Sequence, residues 1–202
     1  MAAAIKGEDV WVETAVLNGH PAEELAQYAS ERACGVIAMS THGRSGTGRW
    51  VYGSTADKLL QLSPIPVFLI RAQESPPAIA SEVTFKTVIV PLDGSNLGEA
   101  ALSYATSVAG DPSLKIALVR VAPSDATYHG MMDPEFFEPS MYENAVKLAQ
   151  DYLQDKKAEL EAERYPVTVQ VEEGFPADQI VEYAKGIDNS FNPDVGEGAR
   201  RQ

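Results

Sequence analysis

The chain has 202 residues, with 16 basic and 29 acidic side chains and a formal net charge of −13. Non-specific binding to DNA, RNA or an anionic membrane needs clustered Lys and Arg, so this charge argues against all three partners. A single cysteine, Cys34, excludes an internal disulfide framework and a multi-cysteine zinc site. Neither a secretory signal nor an apolar run of the about 18 residues that span a bilayer is present, so we expect a cytoplasmic protein.

Residues 1–71 alternate between strand and helix patterns. Period-2 alternation indicates strands, and apolar residues at helical spacing after a proline indicate a helix. The predicted elements, in chain order, are a strand at Val10–Leu17, a helix from Pro21 that Gly35 ends, a buried strand at Val36–Met39, a glycine-rich loop, a helix over about Thr55–Leu62 and an edge strand at Val67–Ile70.

A polar, proline-rich linker at 72–85 separates these elements from a second series. That series comprises a buried strand at Thr87–Asp93, a helix from Gly94-Ser95 to about Ala109, a strand at Lys115–Val121, an irregular excursion at 128–140, a helix over about Met141–Glu163, a strand at Val167–Val171 and a helix at Ala177–Lys185. The tail, 191–202, has no apolar periodicity, and we expect it to be disordered. Strands alternating with helices predict an α/β fold with an open, mostly parallel sheet and helices on both faces.

Two segments of the chain echo each other. Gly19-His-Pro-Ala-Glu-Glu-Leu-Ala-Gln-Tyr-Ala29 resembles Gly174-Phe-Pro-Ala-Asp-Gln-Ile-Val-Glu-Tyr-Ala184, and the valines before each turn also align. This repeat suggests tandem copies of one module, each incomplete. We interpret 1–71 as the C-terminal half of a first module and 86–190 as the N-terminal half of a second, in a natural permutation or in a fragment of a longer tandem protein.

The stretch from Ser40 to Thr55 carries most of the functional information. It follows a buried strand and opens a helix, where unpaired N–H groups and the helix dipole favour an anion. Gly43 and Gly46 let the backbone approach a ligand with no β-carbon in the way. Ser54, with Asp57 three residues later, forms a capping pair and also offers a hydroxyl to a phosphate.

This loop is not a Walker A motif. Gly43 and Gly48 have the required spacing, but Arg49-Trp50 stands where Lys-Ser/Thr is needed. The lysine and the magnesium-binding hydroxyl of P-loop hydrolysis are therefore missing. The sequence shows no nucleophile elbow and no base paired with a nucleophile, so we predict no catalytic residues. His20 and His129 have no partners at metal-ligand spacing, so we predict no metal site.

The loop resembles that of the universal stress protein family, whose ATP-binding members have G-x2-G-x9-G-[ST] after the fourth strand. Ser40-x2-Gly43-x9-Gly53-Ser54 fits this spacing, with Ser40 in place of the first glycine. The wider string from Met39 to Arg71 and the segment KTVIVPLDGSNLGEAALSYA are also similar to the family. The resemblance covers roughly 10–71 and 86–188. It implies a Rossmann-like fold of the adenine nucleotide α-hydrolase type, with five strands in the order 3-2-1-4-5.

The resemblance further implies a bound ATP or ADP, with or without Mg²⁺, and a stress-response regulatory protein with at most slow ATP hydrolysis. By position, Pro91 and Asp93 would border the adenosine, and Val121 would pack near the adenine. The remaining implied or candidate contacts are Met39, Ser40, His42, Gly43, Arg44, Gly46, Gly53, Ser54 and Thr55.

Several roles stay open. Asp93 binds ribose or a nucleotide-bound metal, or caps the following helix. His42 donates to a phosphate or makes a loop hydrogen bond. An alternative function, favoured by Ser40 and the incomplete modules, is a family member without nucleotide that acts through homodimers and protein contacts.

The two halves together hold one full set of strands. We therefore expect strand 36–41 to lie beside strand 87–93, within one chain or by a reciprocal exchange between two chains. This arrangement would bring Asp93 and Gly43 to one pocket, and the edge strand Val67–Ile70 would remain able to pair with another copy.

Overall fold

A computed structural model describes residues 11–41, 53–71, 86–109, 114–124 and 139–190. The chain divides into two compact units, Met1–Glu82 and Val83–Gln202. Both units contain parallel strands and helices, so the protein has the predicted α/β fold. None of the helices in the described ranges is long and apolar enough to cross a membrane.

The described part of the first unit contains two helices and two strands. They are α1 (Pro21–Glu31), β1 (Ile37–Thr41), α2 (Ser54–Leu62) and β2 (Val67–Arg71). The strands pair in parallel, with Ile37 opposite Val67. Ala22, Ala26 and the fully buried Leu59 form the core of this unit.

The end of α1 differs from the prediction. Pro21 occupies the first turn as expected, but the helix stops at Glu31, before Gly35. Ala33 takes a left-handed φ of 50°, and the N–H of Cys34 donates to the carbonyl of Ala29 at 2.9 Å. Because one left-handed residue reverses the chain and satisfies the last carbonyls, the helix ends without the glycine.

The strand predicted at 10–17 is wrong over the residues that the structure describes. Residues 11–17 carry no regular secondary structure, and Trp11 and Val16 are 83% and 91% exposed. The repeat of this segment at Val167–Glu173 does form a strand, and it pairs along its length with a neighbour. Period-2 alternation supplies a face for packing, but a strand also needs a hydrogen-bonding partner, and no ladder includes residues 11–17.

The second unit is a three-stranded parallel sheet with helices on both faces. Its elements are β3 (Thr87–Pro91), α3 (Asn96–Ala109), β4 (Lys115–Ala122), α4 (Pro139–Ala162), β5 (Val167–Glu173) and α5 (Pro176–Ser190). The strand order is β3-β4-β5, with Thr87 opposite Lys115 and Ile116 opposite Val167.

Alternate residues of β4 serve the two faces of this sheet. Ile116 and Leu118, both fully buried, belong to one core cluster with Ala105 of α3 and Leu153 of α4. Residues on the other face, including Val119, meet α5. Because helices cover both faces of the central strand, the sequence of β4 is a nearly continuous run of apolar residues.

The described strands form two separate sheets, β1-β2 and β3-β4-β5. Both are parallel, but a ladder between β1 and β3 is not among them, so the single five-stranded sheet of order 3-2-1-4-5 stays a prediction. The same holds for the assignment of each unit to half of a module. Of the excursion predicted at 128–140, residues 128–138 lie outside the described residues, as does the tail, while Pro139 and Ser140 already belong to α4.

Candidate functional site

A cavity of about 280 Å³ opens in the second unit, beyond the carboxyl ends of β3 and β4. Three residues predicted to contact adenosine line it: Pro91, Asp93 and Val121. The other lining residues are Leu92, Gly98, Val119, Pro176 and Ile180. Two adjacent parallel strands and the start of α5 therefore bring the predicted adenosine residues together.

The walls of this cavity are mostly apolar, and its polar group lies at the exposed end. Val119 is fully buried and Leu92 is 3% exposed, whereas Pro91 and Asp93 are exposed. A pocket with apolar walls and a few convergent polar groups is typical of a small-molecule site. Its volume lies near the lower end of the roughly 300–1,000 Å³ usual for ligand pockets, so it suits part of a nucleotide rather than all of it.

Asp93 is not itself the cap of the following helix. The Ser95 hydroxyl takes that role, since its Oγ accepts the N–H of Gly98 in the first turn of α3 at 3.0 Å. Asp93 acts on Ser95: its Oδ1 accepts the Ser95 N–H at 2.8 Å and the Ser95 hydroxyl hydrogen at 2.7 Å. These two hydrogen bonds, with smaller contributions from the N–H of Asp93 itself and from the charge of Arg120, hold the pKa of the Asp93 carboxyl below its usual value.

A chain of polar side chains runs behind the β3–α3 loop. A β-carbon built on Gly94, whose φ is 88°, would meet the guanidinium of Arg120 at 3.1 Å. The same guanidinium stacks on the ring of Tyr152, 4.9 Å from its centroid. Tyr152 donates to Glu99 at 3.0 Å, and Glu99 pairs with Lys156 at 3.1 Å. These side-chain contacts join β4, α3 and α4 close to the cavity.

The first unit carries the remaining predicted contacts, including those for the phosphates. On β1, Met39 is half-buried against the core cluster and Ser40 is exposed. Gly53 precedes α2 with a φ of 84°, and Thr55 lies in the first turn of that helix. His42, Gly43, Arg44 and Gly46 lie outside the described residues.

The predicted capping role of Ser54 is wrong. Gly53 occupies the N-cap position of α2, Ser54 is the first helical residue, and no side chain caps the helix. A positive φ at the cap position suits glycine, and the helix begins one residue earlier than a serine cap at position 54 would require. The hydroxyl of Ser54 is consequently not committed to a cap.

Sequence reasoning missed five lining residues: Leu92, Gly98, Val119, Pro176 and Ile180. Period 2 along β4 was enough to find Val119, which lies two residues before Val121 on the same face. Pro176 and Ile180 belong to α5, the last helix of the unit in the sequence. Only the tertiary arrangement, in which this helix packs over β4, identifies them as lining residues.

A parallel sheet with helices on both faces and a crevice at the carboxyl ends of its strands defines an α/β protein of the doubly wound type. The universal stress protein family model matches residues 1–71 and 84–190. The chain therefore belongs to the universal stress protein family.

Individual relatives agree over shorter stretches. The chain is 39% identical over 69 residues to universal stress protein YxiE of Bacillus subtilis (34% of this chain, 45% of the relative). It is 31% identical over 62 residues to universal stress protein MJ0531 of Methanocaldococcus jannaschii (31% of this chain, 36% of the relative). The matches thus span less than half the length of these two curated relatives.

Solved structures of the family give partial superpositions. A universal stress family protein from Burkholderia pseudomallei superposes with a TM-score of 0.45 and 21% identity, covering 54% of this chain and 79% of that one. UspA from Lactobacillus plantarum gives a TM-score of 0.44 and 18% identity, covering 57% of this chain and 88% of that one.

Proposed function

We propose that this member of the stress-response family is a regulatory protein that binds an adenine nucleotide, ATP or ADP, in the cytoplasm and performs no fast catalysis. The observation that carries the proposal is the cavity at the ends of β3 and β4, in which Pro91, Asp93 and Val121 meet. These are the residues at which the family resemblance expects adenosine.

The cavity suits the nucleoside half of the ligand. Val119, Val121 and Ile180 offer an apolar surface for a flat base. Asp93, at the exposed end, is ionised at neutral pH and accepts hydrogen bonds only, so it selects a ligand group that donates. A sugar hydroxyl meets this requirement.

The phosphates need a different set of groups, because a carboxylate repels them. The segment Ser40–Thr55 supplies these groups in the proposal. Gly53 and the first turn of α2 offer unpaired backbone N–H groups at the positive end of the helix dipole, and Arg44 adds a cation. A Mg²⁺ ion, where present, would arrive with the nucleotide.

The absence of fast chemistry follows from the residue types of the loop. Phosphoryl transfer relies on a positioned lysine, a metal-binding hydroxyl and a group that orients the nucleophile. The loop has Arg49-Trp50 in place of the lysine and hydroxyl. Binding without rapid turnover is the behaviour of a nucleotide-dependent switch rather than of a kinase.

Two neighbouring residues of α5 provide a matched test. Ile180 lines the cavity, whereas Val181 is 39% exposed and does not line it. Calorimetry with ATP should show at least a tenfold loss of affinity in Ile180→Arg and wild-type affinity in Val181→Arg. Equal affinity in both variants would place the nucleotide elsewhere. Mass spectrometry of ligand released from the purified protein identifies what is bound.

We also propose a homodimer, since Ile70 of β2 is an apolar side chain that is 48% exposed. In the proposal a second copy of the chain packs against this side chain and covers it. Ile70→Lys should lower the mass measured by light scattering from dimer to monomer. A dimer with no released nucleotide would favour the alternative function, through protein contacts alone.

A further inference from the structure

The loop between β3 and α3 holds the Asp93 side chain by one of its two oxygens. Oδ1 accepts both the N–H and the hydroxyl hydrogen of Ser95, at 2.8 and 2.7 Å. Apart from the backbone N–H of Asp93 itself, no group of the described residues donates a hydrogen bond to Oδ2. One oxygen is therefore committed to the loop, and the other remains available at the exposed end of the cavity.

Gly98 makes this arrangement sterically possible. A β-carbon at this position would lie 2.7 Å from Oδ1 of Asp93 and 3.3 Å from Oγ of Ser95. Glycine is a weaker helix former than alanine, and Gly98 lies in the first turn of α3 without a left-handed φ. The close approach of the Asp93 carboxylate, rather than backbone conformation, accounts for a glycine here.

We propose that Ser95 and Gly98 are positioning residues that hold Asp93 so that its Oδ2 accepts a hydrogen bond from the ribose hydroxyls of the nucleotide. This inference rests on the proposed function and adds a selectivity to it: ribonucleotides over deoxyribonucleotides. Ser95 fixes the side-chain rotamer, and Gly98 leaves room for it.

The burial of the lining residues favours the sugar as the recognised group. Val119 is fully buried at the inner end, and Asp93 is exposed at the outer end. A base inserted against Val119 and Val121 leaves its sugar at the level of Asp93. The carboxylate accepts only, so it pairs with the donating hydroxyls and not with the phosphates.

Calorimetry on the full chain with ATP, 2′-deoxyATP and 3′-deoxyATP tests the selectivity. The wild type should prefer ATP over at least one deoxy analogue by about tenfold, the effect of one charge-assisted hydrogen bond. Ser95→Ala and Gly98→Ala should reduce that preference to within about twofold, and Ser95→Thr, which retains the hydroxyl, should preserve it. Gly186→Ala is the matched control, because a β-carbon on this helical glycine meets nothing within 4 Å.

A titration of the Asp93 carboxyl by ¹³C NMR tests the positioning without any ligand. The groups that act on this carboxylate are Ser95 and the N–H of Asp93 in its own loop, and Arg120 of β4. We expect the midpoint to rise in Ser95→Ala and Gly98→Ala and to stay at the wild-type value in Ser95→Thr and Gly186→Ala. An unchanged midpoint in both Ser95→Ala and Gly98→Ala would overturn the positioning.

The two measurements separate the possible failures. If the wild type binds none of the three nucleotides, the proposed function fails and the ribose selectivity fails with it, while the titration still decides the positioning. If the wild type binds all three equally, nucleotide binding stands and the ribose contact is wrong. A preference for ATP that survives in Ser95→Ala and Gly98→Ala would also overturn the inference.

Discussion

The hydroxyl of Tyr152 donates to Oε1 of Glu99 over 3.0 Å and thereby links helix α4 to helix α3. Lys156, one turn further along α4, pairs with the other oxygen of the same carboxylate at 3.1 Å. Burial, together with this hydrogen bond, raises the pKa of Tyr152 to about 12.

The pKa of Tyr152 predicts a loss of stability in alkali. An unfolded tyrosine ionises near pH 10, so between about pH 10 and 12 the unfolded state loses the Tyr152 proton while the folded state keeps it. The contribution of Tyr152 to the free energy of unfolding is therefore fully present below pH 10, and it declines as the pH rises toward 12. Urea titrations at several alkaline pH values should show a smaller decline in Tyr152→Phe. Parallel curves for the two proteins would contradict this linkage.

Substitution by alanine should affect stability very differently at two leucines of α4. Leu153 is fully buried in the core cluster of the second unit, whereas Leu148, five residues earlier on the helix, is 66% exposed. Leu153→Ala should lower the free energy of unfolding by about 2–5 kcal/mol, because it leaves a cavity that the surrounding helices fill only partly. Leu148→Ala should change it by less than about 0.5 kcal/mol. Chemical denaturation followed by circular dichroism measures both, and similar values would place the core elsewhere.

A side chain at Gly53 should lower the stability of the protein through the backbone conformation alone. A β-carbon at this position meets nothing within 4 Å, but φ is 84°. Gly53→Ala should therefore destabilise the first unit by about 1–3 kcal/mol through backbone strain alone, because φ 84° with ψ 147° is a conformation essentially restricted to glycine. Gly186→Ala, in open space without a positive φ, should instead be neutral or slightly stabilising. Equal melting temperatures for the two variants would show that the start of α2 does not hold this conformation.

The sequence predicts the helices and paired strands well because these depend on local periodicity. The two copies of the strand-turn-helix repeat show where that reasoning ends. Val167–Glu173 forms a strand beside β4, while residues 11–17, with the same alternation, do not. Alternation indicates which residues can lie on one face of a strand. It does not indicate whether a neighbouring strand is available for pairing.

The candidate site shows the same division between local and tertiary information. Pro91, Asp93 and Val121 follow from strand ends and a family motif, and they do meet in one cavity. The commitment of Asp93 to Ser95 and the contribution of Ile180 were not predictable, since the first depends on side-chain rotamers and the second on how α5 packs.

The glycine-rich loop predicts ATP binding without rapid turnover. Gly43→Val should weaken ATP binding by about 1–3 kcal/mol, or roughly 5–150-fold, because a β-branched side chain blocks backbone approach and adds strain. ATP hydrolysis should stay far below the roughly 1–100 s⁻¹ of kinases in the wild type. Calorimetry and a phosphate-release assay measure the two quantities. Turnover of several per second that a loop substitution abolishes would contradict the absence of catalysis.

The last prediction concerns the five-stranded sheet, which the resemblance implies and which would combine β1 with β3. Neither strand carries the charged residues that usually protect an edge, and each has one paired neighbour in the described ladders. If two chains exchange these strands reciprocally, each nucleotide site draws its phosphate loop from one copy and its adenosine cavity from the other. Gly43→Val and Ile180→Arg, each defective alone, should then complement each other. After the two variants are unfolded and refolded together, half of the dimers are mixed and each holds one intact site, so about a quarter of all sites should bind ATP with wild-type affinity. Calorimetry that detects no recovered sites in the mixture would exclude the exchange between chains.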